Sequence, residues 1–347
     1  MARYGATLTV ASGKITGTVN LAWYLNADCF PVAAIDGGAT SILNGGGNLR
    51  AYTDNTKATR LPIQIVTFVT GGTPNIEVWG LSDLAVGSTV YIEADTVETS
   101  QPAVTNAFGR NAVYPNDVTR LHLESSGDSA TGANDFGDLV ASPSYSAGEI
   151  GGSLDTSAGN IGTLSFPALA SNDVRISFLV KPNNLTANQY ICGGGNGNFN
   201  GAIVGYQIGY FNVYTGSYPT GNPVDTQITA TIGEWQRVTF TSDGTTIKGF
   251  KNGAEIFSVA GSLKTTATDY YLGTYRDTGP GRLDGLIDEF IYSNEYVTAG
   301  KEQAEYNNQS DPAGFFEVGA WEDQDAVGGG FIAAWARNAN KLINMAN

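Results

Sequence analysis

A chain of 347 residues, 41% of them hydrophobic, can bury one large core or two medium ones. Only 15% of the residues are charged, 45 are glycine, and the formal net charge is −15. No basic stripe is left to displace counterions from a nucleic acid, so that class of partner is excluded, and the polarity comes from Gly, Ser, Thr and Asn, as in turn-rich extracellular-type β proteins.

The opening stretch, "MARYGATLTVASGKITGTVNLAWYL", lacks a basic segment followed by a long apolar core, so it does not read as a signal peptide. No later run reaches transmembrane length, and membrane insertion is not expected. Strands are predicted at "ATLTVAS", "LPIQIVTFV", "NIEVWGL" and "STVYIEAD", where apolar and polar residues alternate between Gly, Asn, Asp or Pro. Composition changes near Arg110 to Pro115, before the turn-rich "ESSGDSATGANDFGDLV". Further strands follow at "VRISFLV", "QRVTFTS", "TTIKGFK", "AEIFSVA", "DYYLGTY" and "LIDEFIYS". "KNGAE" (Lys251 to Glu255) sets an Asn-Gly pair between two of them, a strong hairpin signal.

Helical signal is confined to the end of the chain. "VTAGKEQAEYNNQ" (Val297 to Gln309) has Thr298 as a cap and is followed by asparagines. "GFIAAWARNANKLI" (Gly330 to Ile343) reads as helix or strand. These signals predict an all-β protein of two sandwiches, 1–112 and 113–318, with a tail at 319–347. In the tail, Phe331, Trp335, Leu342 and Ile343 would dock onto a neighbouring subunit or cover the chain's own sandwich. Cys29 and Cys192 fall in different predicted domains, so no disulfide is expected, and with a single histidine, His122, they make no zinc site.

From about Val113 to Val318 the order of motifs resembles a laminin-G-like, concanavalin A-type jelly roll. "DSATGANDFGDL", "IGGSLDTSAGNIGTLSFPAL", "VRISFLVKPNNL", "GEWQRVTFTSDGTTIKGFKNGAEI" and "GLIDEFIYSNEYVTAGKEQAEYNN" carry the resemblance. About Gly13 to Asp95, through "CFPVAAI", "GGGNLRAYTDNTKATRLPIQI" and "NIEVWGLSDLAVGSTVYIEAD", resembles the β-sandwich domain of unknown function numbered 2341. That family usually ends in a Tyr-Tyr-Gly-Asn-like step, from which "YIEADTVETS" departs. The pairing implies surface, extracellular or virion proteins that bind or display.

Asp288 and Glu289 are adjacent in a predicted strand, so their side chains should point to opposite faces. A glycosidase needs two carboxylates flanking one bond, and the catalytic reading therefore fails on periodicity. Asp288 is expected to be structural, held by polar partners, with Trp235 in the core. The resemblance implies calcium as the candidate metal. Asp128, Asn134, Asp135 and Asp138 supply oxygen donors in the turn-rich loop, although the same residues suit Asx turns. Tyr206, Tyr210, Tyr214 and Tyr218, with Tyr275 and Arg276 in a second loop, are candidates for stacking on sugars. Even spacing would set Tyr206, Tyr210 and Tyr214 on one face of a strand; packing within the sandwich is the competing role.

The expected function is that of a non-enzymatic virion surface protein of a tailed bacteriophage: a head decoration, fibre or tail adhesin. Its expected partners are other virion proteins, copies of itself and cell-surface glycan. An extracellular-type composition without an export signal motivates the virion setting. The alternatives are a secreted bacterial carbohydrate-binding protein and a glycan-cleaving jelly-roll enzyme.

Overall fold

The computed structural model describes residues 3–124, 136–140, 144–157, 161–165, 171–186, 188–194, 203–207, 209–214, 223–263, 269–275 and 281–324. The described residues group into two compact units, one from Met1–Val113 and Asn308–Asn347, the other from Tyr114–Asn307. The first unit begins with β1 (Tyr4–Val10), β2 (Val19–Leu25), β3 (Leu49–Tyr52), β4 (Arg60–Leu61), β5 (Ile63–Val69), β6 (Asn75–Leu84) and β7 (Thr89–Ala94). The second holds β8 (Asp117–Leu121), β9 (Phe136–Val140), β10 (Ser144–Ala147), β11 (Gly152–Asp155), β12 (Ile161–Ser165), β13 (Val174–Pro182), β14 (Gln189–Gly194) and β15 (Ile203–Gln207). It continues with β16 (Tyr210–Tyr214), β17 (Pro223–Thr229), β18 (Gln236–Ser242), β19 (Thr246–Lys251), β20 (Ala254–Ala260), β21 (Asp269–Leu272) and β22 (Gly285–Ser293). β23 (Phe316–Val318) and β24 (Glu322–Asp323) return to the first unit.

In the first unit, β23-β1-β7-β3-β4 form one sheet, with β24 also on β1, and β2-β6-β5 form a second. Trp23 and Trp79 are fully buried, and their indole N–H groups donate to Ser82 Oγ at 3.0 Å and Glu77 Oε1 at 2.9 Å. The sequence places residues 308–318 in the second sandwich. They group instead with the first unit, because Phe316–Val318 pairs antiparallel with β1. The docking residues Phe331, Trp335, Leu342 and Ile343 lie outside the described residues.

The second unit is a concanavalin A-like jelly roll. Its eight-stranded sheet runs β10-β11-β22-β13-β18-β19-β20, with β8 on β22, and its seven-stranded sheet runs β17-β16-β15-β14-β21-β12-β9. Between them Ile176, Phe178 and Val180 of β13, Val238 and Phe240 of β18, Ile191 and Cys192 of β14, and Phe211 and Val213 of β16 share one core. The Asn-Gly hairpin forms as read: Asn252 and Gly253 take φ of 50° and 79°, and Lys251 pairs with Ala254.

On the far face of the eight-stranded sheet the alternate residues are polar, yet buried. Arg175, Arg237, Thr239 and Thr241 lie there beneath the predicted helix, which spans Ala299–Ser310. Thr298 caps it, accepting from the Lys301 amide at 3.3 Å. The helix has few apolar residues to bury. It is held instead by Glu302, which accepts from Arg237 Nε and Thr239 Oγ1 at 2.7 Å each, and by Glu305, which receives Arg175 Nη1 at 3.1 Å.

β22 departs from the sequence reading. Ser177 pairs with Ile291 and Leu179 with Asp288, so β22 carries one more residue than β13 over that interval. The extra residue makes a bulge, with Glu289 at φ 48°. Ile287, Phe290 and Tyr292 all reach the sandwich core. Asp288 and Glu289 therefore lie together on the other side, and the expectation that they point to opposite faces fails at the bulge.

Candidate functional site

The core residues of β16 leave Tyr210, Asn212 and Tyr214 on the outer face of the seven-stranded sheet. Register extends this face sideways: Asn212 pairs with Gly205, and Gly205 with Tyr190 of β14. A Cβ at Gly205 would lie 3.0 Å from the Tyr190 ring, and one at Gly193 would lie 2.7 Å from the Tyr275 backbone. Both glycines thus let a tyrosine settle onto the sheet. The Tyr190 ring sits 4.4 Å from that of Tyr275, tilted by 52°, and 6.2 Å from that of Tyr214. Such offset pairs add to the stabilisation from burial alone.

Tyr275 is 1% exposed and Tyr214 9%, while Tyr190 is half-buried. Tyr190 therefore offers the accessible ring, and the other two brace it. A polar edge adjoins it. Gln189 Nε2 donates to Asn184 Oδ1 at 2.8 Å, Gln189 Oε1 accepts from the Asp284 amide at 2.6 Å, and Asn183 Nδ2 donates to Asp284 Oδ1 at 3.0 Å. An accessible aromatic face beside amides and a carboxylate is the chemistry that stacks on a sugar ring and bonds its hydroxyls.

The structure brings Tyr214 and Tyr275 together and keeps Tyr210 on the same face, half-buried. For Tyr206 the backbone register is described: across the β15–β16 turn it pairs with Phe211, a core residue, while Gln207 pairs with Tyr210. The turn shifts the parity that even spacing assumed. Tyr218 and Arg276 lie outside the described residues. Sequence reasoning missed Tyr190, whose signal was a tyrosine on a strand beside another strand carrying a glycine. Trp235 is half-buried rather than a core residue.

Of the calcium candidates, Asp128, Asn134 and Asp135 lie outside the described residues, and for Asp138 only the backbone within β9 is described. A different carboxylate pair fits a hard cation. Asp288 Oδ2 accepts from the Glu149 and Ile150 amides at 3.0 Å each, while its Oδ1 is buried with no hydrogen-bond partner among the described residues. Glu124 lies close enough to act on Asp288 electrostatically, and its Oε1 accepts from the Gly152 amide at 2.9 Å. Burial, then the Glu289 charge, push the Asp288 carboxyl well above the usual carboxylate range, against the pull of the Ile150 and Glu289 amides. Oxygen donors short of positive charge suit calcium, with Asp288 and Glu124 as the side chains that would hold it.

Glu289 has a different role. Its Oε1 lies 2.7 Å from His122 Nδ1, and the His122 Nε2 lies 3.4 Å from the Tyr114 hydroxyl. His122 is buried just beyond the end of β8.

Residues 155–300 match the family described as the concanavalin A-like lectin/glucanases superfamily. Three solved structures are similar in part. Domain 4 of AbnA, a GH43 extracellular arabinanase from Geobacillus stearothermophilus in complex with arabinotriose, aligns at 21% identity and TM-score 0.45 over 56% of this chain and 98% of that one. The binding domain of Paraclostridial Mosquitocidal Protein 1 aligns at 12% identity and TM-score 0.47, over 56% of this chain and 52% of its own. The receptor-binding domain of botulinum neurotoxin C/D mosaic serotype aligns at 15% identity and TM-score 0.43, over 56% and 52%. The chain thus spans about half the length of the two toxin chains. No curated protein matches the sequence.

Proposed function

We propose that this is a non-enzymatic glycan-binding surface protein of a tailed bacteriophage virion, acting as a decoration, fibre or tail adhesin. The observation that carries the binding role is the Tyr190 ring, braced by Tyr214 and Tyr275 on the outer face of the jelly roll and bordered by Asn183 and Asp284. Asp288 and Glu289 now share one side of their strand, the arrangement that a glycosidase pair requires. Both are fully buried, Asp288 on backbone amides and Glu289 on His122, which supports a structural role for each.

The virion setting rests on the low charge, the glycine-rich β composition and two free buried thiols, together with the resemblance of the N-terminal sandwich to the domain numbered 2341. Two measurements test the reading. A glycan array probed with the full chain should return a carbohydrate ligand; an array on which nothing binds sinks the binding role. Mass spectrometry of purified particles from the source culture should find the chain at high copy. Soluble monomer in the medium and none on particles would favour a secreted carbohydrate-binding protein.

A further inference from the structure

We propose that Lys57 and Glu93, in the N-terminal unit, join through an intramolecular amide cross-link. Lys57 lies in the turn between β3 and β4 with φ 60°, a left-handed conformation that non-glycine residues seldom take. Asp54 builds that turn: its Oδ1 accepts from the Thr56 amide at 2.8 Å and its carbonyl from the Lys57 amide at 3.1 Å. Glu93 stands in β7, between Gly5 of β1 and Arg50 of β3. The Lys57 side chain is 19% exposed and that of Glu93 2%, and their Nζ and Oε2 atoms are in direct contact. Yet neither atom has a hydrogen bond of proper geometry among the described residues. A resting buried ion pair depends on such bonds to offset its desolvation.

The surroundings favour reaction. Arg50 donates to the carbonyls of Gly47, Leu49, Glu98 and Ser100 and to the Glu98 carboxylate, leaving Glu93 to Lys57. The Tyr52 ring lies 5.8 Å from Nζ, and the Tyr52 and Tyr91 rings are 6.4 Å apart. The step balances as an ammonium and a carboxylate giving an amide and one water. The Nζ–Cδ bond forms, a Cδ–O bond breaks, and the departing oxygen takes two of the three ammonium protons. Held contact supplies an effective concentration of roughly 10⁵–10⁸ M, which drives amide formation in water. The bond would close the loop from Lys57 to Glu93 and constrain the unfolded chain as a disulfide does.

Intact-mass spectrometry of the purified full chain reads the cross-link directly. Allowing for removal of Met1, the native mass should fall below the sequence mass by about 18 Da, one water. A tryptic digest should contain a branched peptide joining the Lys57 and Glu93 segments. Lys57→Arg keeps the charge but forms no such amide, and it should restore the full mass. An unshifted native mass with linear Lys57 and Glu93 peptides overturns the proposal. So does a water loss that persists in Lys57→Arg, the mark of a succinimide at a site such as Asp243–Gly244. The native digest decides the matter even if the variant does not fold.

Discussion

Glu305 receives the Arg237 Nη2 at 2.7 Å, with neither side chain more than 2% exposed. Burial alone would raise the Glu305 carboxyl, but Arg175 and Arg237 overcome it and hold the group well below its ordinary value of 4.5. A depressed folded pKa contributes stability that is complete above the unfolded value and fades as pH falls toward the folded one. The jelly roll should therefore begin losing this contribution below about pH 4.5. Glu305→Ala would leave two buried guanidinium groups short of a partner and should cost about 3–5 kcal/mol at neutral pH. Urea melts at pH 7 and pH 3 check both: the gap between wild type and variant should shrink in acid. An unchanged gap would show that the pair contributes nothing through its charge.

Asp288 carries the opposite sign. Its folded pKa is raised, so its contribution is fully present below the unfolded value and is lost as pH rises through the folded one. Calcium held by Asp288 and Glu124 would remove that penalty. Added calcium should raise the melting temperature at pH 7.5 and do much less at pH 4. Asp288→Asn keeps an oxygen for the Glu149 and Ile150 amides and should stabilise the calcium-free protein by about 1–3 kcal/mol, while abolishing the calcium effect. Calorimetry with and without a chelator decides. A calcium response that survives in Asp288→Asn would move the site elsewhere.

The hairpin at Asn252–Gly253 gives a simpler prediction. Gly253 has φ 79°, and a Cβ there would lie 2.9 Å from Gln303 Nε2 and Tyr306 Cβ on the helix. Gly253→Ala should cost about 1–3 kcal/mol, through backbone strain and through pressure on the helix that the buried ion pairs hold. Thermal melts should show the drop. A neutral result would mean that turn and helix separate freely.

These residues also mark what was legible in the sequence. Alternation in β13 and β18, the Asn-Gly turn and the polar helix could be read directly, because each follows from local periodicity or from a residue's own backbone preference. The bulge at Glu289 could not. "LIDEFIY" sets two acidic residues inside an apolar run, and that one of them is an extra residue shows only by comparison with Ser177 and Leu179 on the neighbouring strand. Glutamate has no preference for the left-handed region that would announce it. Tyr206 misled for a related reason: spacing along the chain cannot see the β15–β16 turn reset the parity between two strands. Tyr190 was missed because the glycine that gives its ring room, Gly205, belongs to the adjacent strand.

That dependence on Gly205 supplies the sharpest test of the glycan platform. Tyr190→Ala removes the accessible ring and should weaken binding of an array-identified glycan by about 2 kcal/mol, roughly thirtyfold. Gly205→Ala leaves the tyrosine in the sequence, but its Cβ crowds the ring at 3.0 Å and the Gln189 carbonyl behind it. It should lower affinity in the same direction with Tyr190 still present, which a role for the ring in folding alone would not predict. Tyr210→Ala, on the same face but outside the braced trio, should change affinity less than Tyr190→Ala. Isothermal titration of the three variants, each first shown to melt as wild type, orders them. If Tyr190→Ala binds as well as wild type, the glycan site is not on this face.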